Sequence, residues 1–348
     1  MSKIRMGLVF GGRSEEHEIS VMSARSVFNA ADKEKYDIIP FAVSKKGYWL
    51  DPDSSLKILI DESISRVPED HDGPIALSIR PFMETELDLV FPVLHGPYGE
   101  DGRIQGLFEM LDIPYVGAGV LDSAIGMDKE VMKNLFAFHG IPQADYKVFH
   151  KYEKEKGLEE LIAAINHDIL WPCFVKPANL GSSIGISKVN KAELLPEALE
   201  EAFKYDHKVI IEEFIPGREI ECSVYGNIDI SASLPGEIKS FHEFYDYTAK
   251  YKDSATKLII PAELKDSIVE EIRRLAVSAF RAIGARGFAR VDFFVTDQEE
   301  VLVNEINTIP GFTCYSMYAR MWEATGVTYS ELIDKLVKLA LEWESYTK

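Results

Sequence analysis

Cysteine is scarce in this chain, which has three in 348 residues. Cys173, Cys222 and Cys314 lie far apart without metal-ligand spacing, so the sequence predicts neither a disulfide framework nor a cysteine-bound metal. Long hydrophobic runs are lacking too, and no stretch approaches the roughly 20 apolar residues of a membrane span. The N-terminal apolar run is short and ends at Gly11-Gly12, unlike a signal peptide. These features together predict a cytoplasmic protein.

Positive charge is also in short supply. The chain has 38 Lys and Arg against 57 Asp and Glu, a formal net charge of −19. Such a surface repels phosphate backbones and anionic headgroups, so we expect neither nucleic acid nor a membrane as a partner. A local group of cations beside a metal can still hold a nucleotide. The standard fingerprints are missing, however: there is no G-x-x-x-x-G-K-[ST], and Gly117-Ala118-Gly119 lacks the third glycine of a dinucleotide loop.

What is present is an alternation of short apolar strands and amphipathic helices. The pattern predicts strands at 4–10, 36–43 and 87–94. A helix is expected from near Ser14, with Glu15 and Glu16 in its first turn. The strand at 87–94 is almost wholly apolar, which predicts a central place in a parallel sheet. Ligands of such a sheet gather at the carboxyl ends of its strands, where residues 95–102 follow.

Two further units follow along the chain. Residues 119–127 are expected to cross into a second unit, whose strands at 171–176 and 184–189 are joined by a Gly/Ser loop. A third unit begins around 209–215 and ends in a helix near 329–342. The predicted fold class is therefore α/β, with α+β character in the C-terminal half. The predicted domains are 1–124, 125–211 and 212–348.

The most informative stretch is a predicted antiparallel hairpin of residues 288–295 and 301–307. With its turn centred on the 298–299 peptide bond, Asp292 lies opposite Glu305, and Arg290 lies opposite Asn307. Residues two apart share a face of a strand, so all four converge. The other face is predicted to be core, formed by Val291, Phe293, Leu302 and Ile306. Two carboxylates and an amide oxygen suit Mg²⁺ held partly by phosphates, although spacing alone equally allows a solvated face with a cross-strand ion pair.

Other segments carry weaker signals. The Gly/Ser loop after Lys176 could wrap a phosphate with its backbone N–H groups, or it could be a simple surface hairpin. The strand end at 212–215 followed by Glu219 could serve adenine and ribose, but acidic residues in such a place more often form a solvated rim. The polar, aromatic segment 244–251 could be a lid or a packed loop. Glu16 and His95 could also serve the site, but a capping or core role is the more frequent one for either residue type.

Taken together, these segments resemble the D-alanine–D-alanine ligases of the ATP-grasp superfamily, from residue 4 to about residue 341. Seven stretches in the family's order carry the resemblance: GGRSEEHEIS at 11–20, HGPYGEDG at 95–102, GMDK at 126–129, VKPANLGSSIGISKV at 175–189, EEFIPGREIE at 212–221, YDYTAKY at 245–251, and the pair GFARVDFF and NEINTIPGFT at 287–294 and 304–313. The resemblance implies a three-domain ligase that makes D-alanyl-D-alanine through a D-alanyl phosphate, for peptidoglycan precursors. It also implies a homodimer.

The resemblance further implies the role of each matched residue. For ATP they are Lys129 and Lys176 at the phosphates, Glu212, Phe214 and Ile215 at adenine, Glu219 at ribose, Phe244 and Phe294 around the base, and Ser183, Glu213 and Lys250 as further contacts. The two Mg²⁺ ions, for which Mn²⁺ could substitute, would be bound by Asp292, Glu305 and Asn307. The first D-alanine would be received by Glu16 with His95 nearby, and a trio of Glu16, Ser182 and Tyr251 would close over it. The oxyanion would be stabilised by Arg290 and the N–H of Gly311. Lys250 and Ser316 would lie near the second carboxylate and the transferred phosphate, and Met317 would border the second substrate.

Two positions bear on the second substrate. Tyr251 argues for an amine nucleophile, because D-lactate-using relatives replace it or its loop. Met317 stands where D-serine-preferring relatives tend to have a basic residue, and its apolar side chain suits a methyl group. We therefore expect D-alanine in both subsites, although Cys314-Tyr315 departs from the frequent Ser-His of the family. The rival interpretations are a D-serine or D-lactate ligase, a non-catalytic nucleotide-binding relative, and a nicotinamide oxidoreductase, which the incomplete glycine fingerprint disfavours.

Overall fold

The computed structural model describes residues 3–69, 73–169, 171–239 and 257–347. Its first sheet is parallel, in the order β2-β1-β3, and consists of β1 (Ile4–Gly11), β2 (Tyr36–Val43) and β3 (Leu89–Pro92). The helices of this region are α1 (His17–Ala30), α2 (Pro52–Ile60), the one-turn α3 (Ile75–Ser78) and α4 (Arg80–Met83), and α5 (Arg103–Met110). The parallel α/β character that the sequence predicts here is confirmed.

β1 is the middle of the three named strands, and β3 is also flanked on both sides, as the sequence predicts for residues 87–94. The apolar strand β3 pairs with β1 on one side and makes a single bridge to Tyr115 on the other. It is apolar because both of its faces are covered: Leu89 and Phe91 enter one core cluster and Val90 enters another. A wholly apolar strand therefore indicates that both of its faces are covered.

The first helix also begins later than predicted. Residues 14–16 form a turn, and α1 begins at His17. Ser14 Oγ accepts a hydrogen bond from the Glu16 N–H at 3.2 Å and donates one to the His95 carbonyl at 2.6 Å. This bond fixes the turn to the loop after β3, which places Glu16 before the helix instead of within its first turn.

The second sheet is antiparallel, in the order β4-β7-β5-β6. Its strands are β4 (Tyr146–His150), β5 (Cys173–Pro177), β6 (Ser187–Val189) and β7 (Lys208–Glu213), so β5 begins two residues later and β6 three residues later than predicted. The helices that accompany it are α6 (Val120–Met127), α7 (Lys129–Phe138), α8 (Lys154–Asp168) and α9 (Leu195–Ala202), with 3₁₀ turns at Lys151–Glu153 and Ala192–Leu194. β7 spans the predicted boundary at residue 212.

The third sheet is also antiparallel, in the order β11-β10-β8-β12-β13, with β9 beside β8. Its strands are β8 (Arg218–Gly226), β9 (Ser231–Ala232), β10 (Gly236–Lys239), β11 (Lys257–Ile259), β12 (Gly287–Val295) and β13 (Val301–Asn307). Three helices belong to this part: α10 (Asp266–Ala282), α11 (Met317–Ala324) and α12 (Tyr329–Thr347). α10 buries Ile268, Ile272 and Leu275, which recur at helical spacing, against the sheet. Among the helices that the structure describes, none has the length and apolarity to cross a membrane.

The β12–β13 hairpin has the predicted register where polar side chains meet. Arg290 pairs with Asn307, and Asp292 pairs with Glu305. Beyond Asp292 a bulge inserts Asn304 as an extra residue, so the remaining pairs are displaced by one. On β13, the displacement exchanges the core-facing and outward-facing side chains between Val301 and Val303, relative to the prediction.

The predicted core position of Leu302 is therefore wrong. Val303 is buried at 1% exposure in the core cluster, while Leu302 pairs with Phe294 and is half-buried. Val291 and Phe293 lie in the core as expected.

Candidate functional site

A cavity of about 900 Å³ lies where the three sheets meet. It is bordered by the loop after β1, the Gly/Ser loop, the β12–β13 hairpin and the start of α11. The predicted site residues on its wall are Glu16, Lys129, Lys176, Ser182, Ser183, Phe214, Ile215, Glu219, Arg290, Asp292, Phe294, Glu305, Asn307, Gly311, Ser316 and Met317. His95, Glu212 and Glu213 are not on this wall. Phe244, Lys250 and Tyr251 lie outside the described residues.

The hairpin face carries a compact polar cluster. The Arg290 guanidinium donates to both carboxylate oxygens of Asp292, at 2.7 Å from Nε and 2.8 Å from Nη2. Its Nε also lies 3.1 Å from the Glu221 carboxylate on β8. Asn307 Nδ2 donates to Asp292 at 3.0 Å. Strand pairing thus brings these four side chains to one edge of the cavity.

Burial and charge oppose each other at Arg290. Burial alone would lower the pKa of its guanidinium, but the adjacent Asp292 and Glu221 carboxylates outweigh burial and hold that pKa well above its ordinary range. Arg290 therefore presents a permanent positive charge at the cavity.

Lysines approach the same cavity from the second sheet and its helices. Lys129, the first residue of α7, donates from Nζ to the Leu180 carbonyl at 2.9 Å and lies 3.4 Å from Glu305. Lys176 at the end of β5 contacts the Glu212 carboxylate. Both are nearly buried, at 8% and 9% exposure. A low-dielectric wall strengthens their attraction for an anion in the cavity.

The Gly/Ser loop has an unusual backbone. Ser182 and Ser183 have φ values of 55° and 58°, in the left-handed region that non-glycine residues rarely occupy. Asn179 anchors the start of the loop to Asp206, through its N–H and its side-chain amide, both at 2.9 Å. Backbone strain held by surrounding contacts is characteristic of ligand-binding segments.

A second polar network joins the N-terminal sheet to the loop after β13. His95 is buried, with Nδ1 2.8 Å from the Ile309 carbonyl and Nε2 2.9 Å from Ser23 Oγ. Ser23 Oγ also accepts from the Phe312 N–H at 3.2 Å. Burial lowers the pKa of the His95 imidazole, which favours its neutral form.

The cavity floor beside Glu16 holds a further carboxyl that sequence reasoning misses. Glu100 lines the cavity and accepts from the Gly96 N–H at 2.7 Å. Burial, with a smaller contribution from the Glu16 charge, raises the pKa of Glu100 well above its usual range. Its position in HGPYGEDG is visible in the sequence, but the apposition with Glu16 depends on the fold.

The loop that precedes α11 completes the cavity. Ser316 Oγ accepts from the Thr313 N–H at 3.0 Å and lies 2.8 Å from Thr313 Oγ1. Gly311 lies beside it, and a Cβ built on Gly311 would be 3.4 Å from Ser316 Oγ. Met317 is buried in a small apolar cluster with Ile238 and Met321.

Two predicted residues, Glu212 and Glu213, and one unpredicted residue, Lys133, are off the cavity wall. Glu212 is buried beneath Lys176, where Lys133 of α7 contacts its other oxygen. Burial alone would raise the pKa of Glu212, but Lys133 and Lys176 lower it to about 2. Glu213 is half-buried, and burial followed by the Asp145 charge raises the pKa of its carboxyl. Sequence reasoning misses Lys133 because a lysine in an amphipathic helix usually faces solvent.

The candidate metal ligands of the site lie on the β12–β13 hairpin. Among the described residues, no group of three or more His, Cys, Asp and Glu side chains could hold a metal ion. Two carboxylates and one amide, those of Asp292, Glu305 and Asn307, line the cavity together.

Comparison with known families gives matches to both halves of the chain. Residues 5–118 match the family model described as the D-ala D-ala ligase N-terminus. Residues 135–338 match the model described as the D-ala D-ala ligase C-terminus.

Curated relatives and solved structures cover nearly the whole chain. It is 59% identical over 342 residues to a D-alanine–D-alanine ligase of Halothermothrix orenii, covering 98% of this chain and 99% of that protein. A D-alanine–D-alanine ligase of Geobacillus thermodenitrificans is 48% identical, with coverage of 98% and 96%. Among structures, the D-alanine-D-alanine ligase of Coxiella burnetii has a TM-score of 0.85 at 36% identity, covering 100% of this chain and 96% of that one. A D-Ala:D-Ser ligase from Enterococcus faecalis has a TM-score of 0.84 at 36% identity, covering 97% and 100%.

Proposed function

The chain belongs to the family of D-alanine–D-alanine ligases, and we propose that its cavity joins two D-alanines to D-alanyl-D-alanine with ATP, through a D-alanyl phosphate. The observation that carries this proposal is the convergence of Arg290, Lys129 and Lys176 with two hairpin carboxylates on one cavity. Phosphoryl transfer needs this arrangement of cations around the phosphates and a site shielded from water.

ATP would lie between the second and third sheets. Lys129, Lys176 and the loop at Ser183 would hold the phosphates, since their positive groups and backbone N–H groups border one region of the cavity. The base would be enclosed by Glu212, Glu213, Phe214, Ile215, Phe244 and Phe294, with Glu219 at the ribose. Glu212 would act from behind Lys176, because its carboxylate lies off the cavity wall.

The chemistry of the hairpin donor set fits two Mg²⁺ ions that nucleotide phosphates help to coordinate. Asp292, Glu305 and Asn307 offer hard oxygens, and three such groups leave positions for phosphate oxygens and water. They are too few for an all-protein cage, in keeping with the absence of a larger carboxylate or histidine group among the described residues. The ions would neutralise charge on the phosphates, and Mn²⁺ could replace them.

The reaction would proceed in two steps. A carboxylate oxygen of the first D-alanine attacks the γ-phosphorus, the bond to the β-phosphate oxygen breaks, and ADP leaves. The neutral amine of the second D-alanine then attacks the acyl carbon, and phosphate departs. Arg290 and the Gly311 N–H would stabilise the oxyanion of that step.

Binding of the amino acids would depend on the N-terminal sheet and the loop before α11. Glu16 would receive the ammonium of the first D-alanine, with His95 behind it, and would join Ser182 and Tyr251 when the site closes. Lys250 and Ser316 would lie near the second carboxylate and the transferred phosphate. The apolar cluster around Met317 favours a methyl side chain in the second subsite over a hydroxymethyl.

The wider context follows the family. We propose that the product serves peptidoglycan precursor synthesis, in the cytoplasm, and that the enzyme acts as a homodimer. We also propose the domain boundaries 1–124, 125–211 and 212–348. A sedimentation experiment that shows only monomer at working concentration would refute the proposed homodimer.

Phosphate release from Mg·ATP tests the proposal. D-alanine alone should release phosphate in a one-to-one ratio with D-alanyl-D-alanine, whereas L-alanine should release none. A large gain only when D-serine or D-lactate accompanies D-alanine would reassign the second substrate. No release with any of these substrates would refute the proposed reaction.

A further inference from the structure

A buried ion cluster extends from the cavity wall into the protein, and one of its members, Lys133, has no role in the reaction described above. It consists of Lys133 on α7, Glu212 on β7 and Lys176 on β5. One Glu212 oxygen contacts Lys133 Nζ and the other contacts Lys176 Nζ. The side chains of Lys133 and Glu212 are each 2% exposed. Of the three residues, Lys176 lines the cavity and the other two do not.

The fold fixes each member of the cluster. Glu212 pairs with Phe174 across β5 and β7, so it shares a sheet face with Lys176, two residues further along β5. Lys133 follows Lys129 by four residues in α7 and therefore lies on the same helix face. Its Nζ also lies 5.6 Å from the ring centroid of Tyr146, the residue that pairs with Glu212 on β4.

The charges of the cluster add to one net positive charge, since two ammonium groups share one carboxylate. If Lys133 were absent, Glu212 and Lys176 would form a neutral pair, and the Lys176 ammonium would be bound fully to its partner. A buried carboxylate that loses one of two cations draws the remaining cation more strongly. The charge offered at the cavity wall would then fall.

We propose that Lys133 is a positioning residue for ATP: by binding one oxygen of Glu212, it leaves Lys176 a net positive charge to present to the phosphates. This inference rests on the proposed function, in which Lys176 contacts ATP. The competing structural role is that the cluster only holds α7 against the sheet. In that case Lys133 affects stability but not nucleotide affinity.

A double-mutant cycle separates the two roles. Wild type, Lys133→Met, Glu212→Gln and the double variant are titrated with Mg·ATP without D-alanine in a calorimeter, and the melting temperature of each is measured. Methionine keeps the length of the lysine stem without its charge. The effect of Lys133→Met is measured once with glutamate and once with glutamine at position 212. Any contribution of Glu212 itself to adenine binding cancels, because each comparison keeps the residue at position 212 unchanged.

The charge account predicts a background-dependent effect. Lys133→Met should weaken Mg·ATP binding about tenfold or more when Glu212 is present, because the Glu212 carboxylate then pairs with Lys176 alone and neutralises it. In the Glu212→Gln background the same substitution should change the Kd by less than about twofold, because no carboxylate then competes for Lys176. In steady state, the KM for ATP should rise with little change in the KM for D-alanine. If Lys133→Met alone does not fold, the double variant compared with Glu212→Gln still tests the second expectation.

Two results would overturn the inference. One is an unchanged Kd for Mg·ATP in Lys133→Met with a lowered melting temperature. The other is equal weakening in both backgrounds. Either result with an active wild type leaves the proposed function standing, whereas a wild type that neither binds Mg·ATP nor releases phosphate with D-alanine refutes both.

Discussion

Replacing Arg290 by alanine should damage both catalysis and stability, because this side chain serves two neighbouring carboxylates. It makes two hydrogen bonds to Asp292, at 2.7 and 2.8 Å, and lies 3.1 Å from Glu221. Asp292 and Glu221 pair directly across β12 and β8. Without the guanidinium, two like charges with side chains only 15% and 8% exposed face each other.

The expected loss of stability follows from the burial of these two carboxylates. Removing one partner of a buried charge group costs about 3–5 kcal/mol. At roughly 2–4 °C per kcal/mol for a unit of this size, the melting temperature should fall by roughly 10 °C. Loss of an oxyanion donor should reduce kcat a further ~100-fold to ~1000-fold in the folded enzyme.

The assay combines differential scanning fluorimetry with phosphate release from Mg·ATP and D-alanine. Arg290→Lys is the matched control, since it keeps the charge but cannot bind both Asp292 oxygens with a fork. It should melt between wild type and Arg290→Ala and still lose more than about tenfold in kcat. An Arg290→Ala enzyme with a wild-type melting temperature and a kcat within about fivefold of wild type, roughly 1 kcal/mol, would refute this reasoning.

Three further predictions concern other parts of the site. Glu305→Gln should lower kcat at least about a hundredfold with a melting temperature close to wild type, since its contact with Lys129 is 3.4 Å long and its side chain is 25% exposed; normal turnover would exclude it from the metal site. Glu100→Gln should melt at a higher temperature than wild type at pH 8. Because the fold raises the pKa of Glu100, ionisation of this carboxyl costs stability above its unfolded pKa of about 4.3, so the difference in melting temperature should shrink as pH falls toward 5. A difference in melting temperature that does not depend on pH would contradict this prediction. Gly99→Ala should lower the free energy of unfolding by more than about 2 kcal/mol, because the new Cβ would lie 1.8 Å from a carbonyl oxygen. Gly106→Ala in α5 should raise it by about 0.5–1 kcal/mol, because the Cβ there has no neighbouring atom within 4 Å. Equal melting temperatures for the two variants would contradict the backbone argument.

The hairpin shows how far sequence reasoning extends. Alternation of polar and apolar residues is enough to pair Asp292 with Glu305, because both face the same cavity. It misplaces Leu302, because the extra residue Asn304 leaves no mark in the pattern and reverses the faces only beyond Asp292. The predicted turn lies half a residue too late, and the bulge compensates for that error at the point where the polar residues meet.

Other parts of the site depend on tertiary placement. Lys133 and Glu100 are ordinary charged residues in the sequence, and they become unusual only when the fold buries them beside Glu212 and Glu16. The interior position predicted for residues 87–94 is confirmed, but the neighbours of this strand, β1 and the bridge to Tyr115, are visible only in the fold. Local pattern therefore predicts the elements, while charge clusters between distant elements require the fold.

The central claim is that a carboxylate of D-alanine receives the γ-phosphoryl group in this cavity. Its most direct test is turnover of D-alanine labelled with ¹⁸O in the carboxylate, followed by mass analysis of the released phosphate. An acyl phosphate requires one labelled oxygen to move from D-alanine into each phosphate, alongside one D-alanyl-D-alanine. Phosphate released with D-alanyl-D-alanine but free of ¹⁸O would contradict the account.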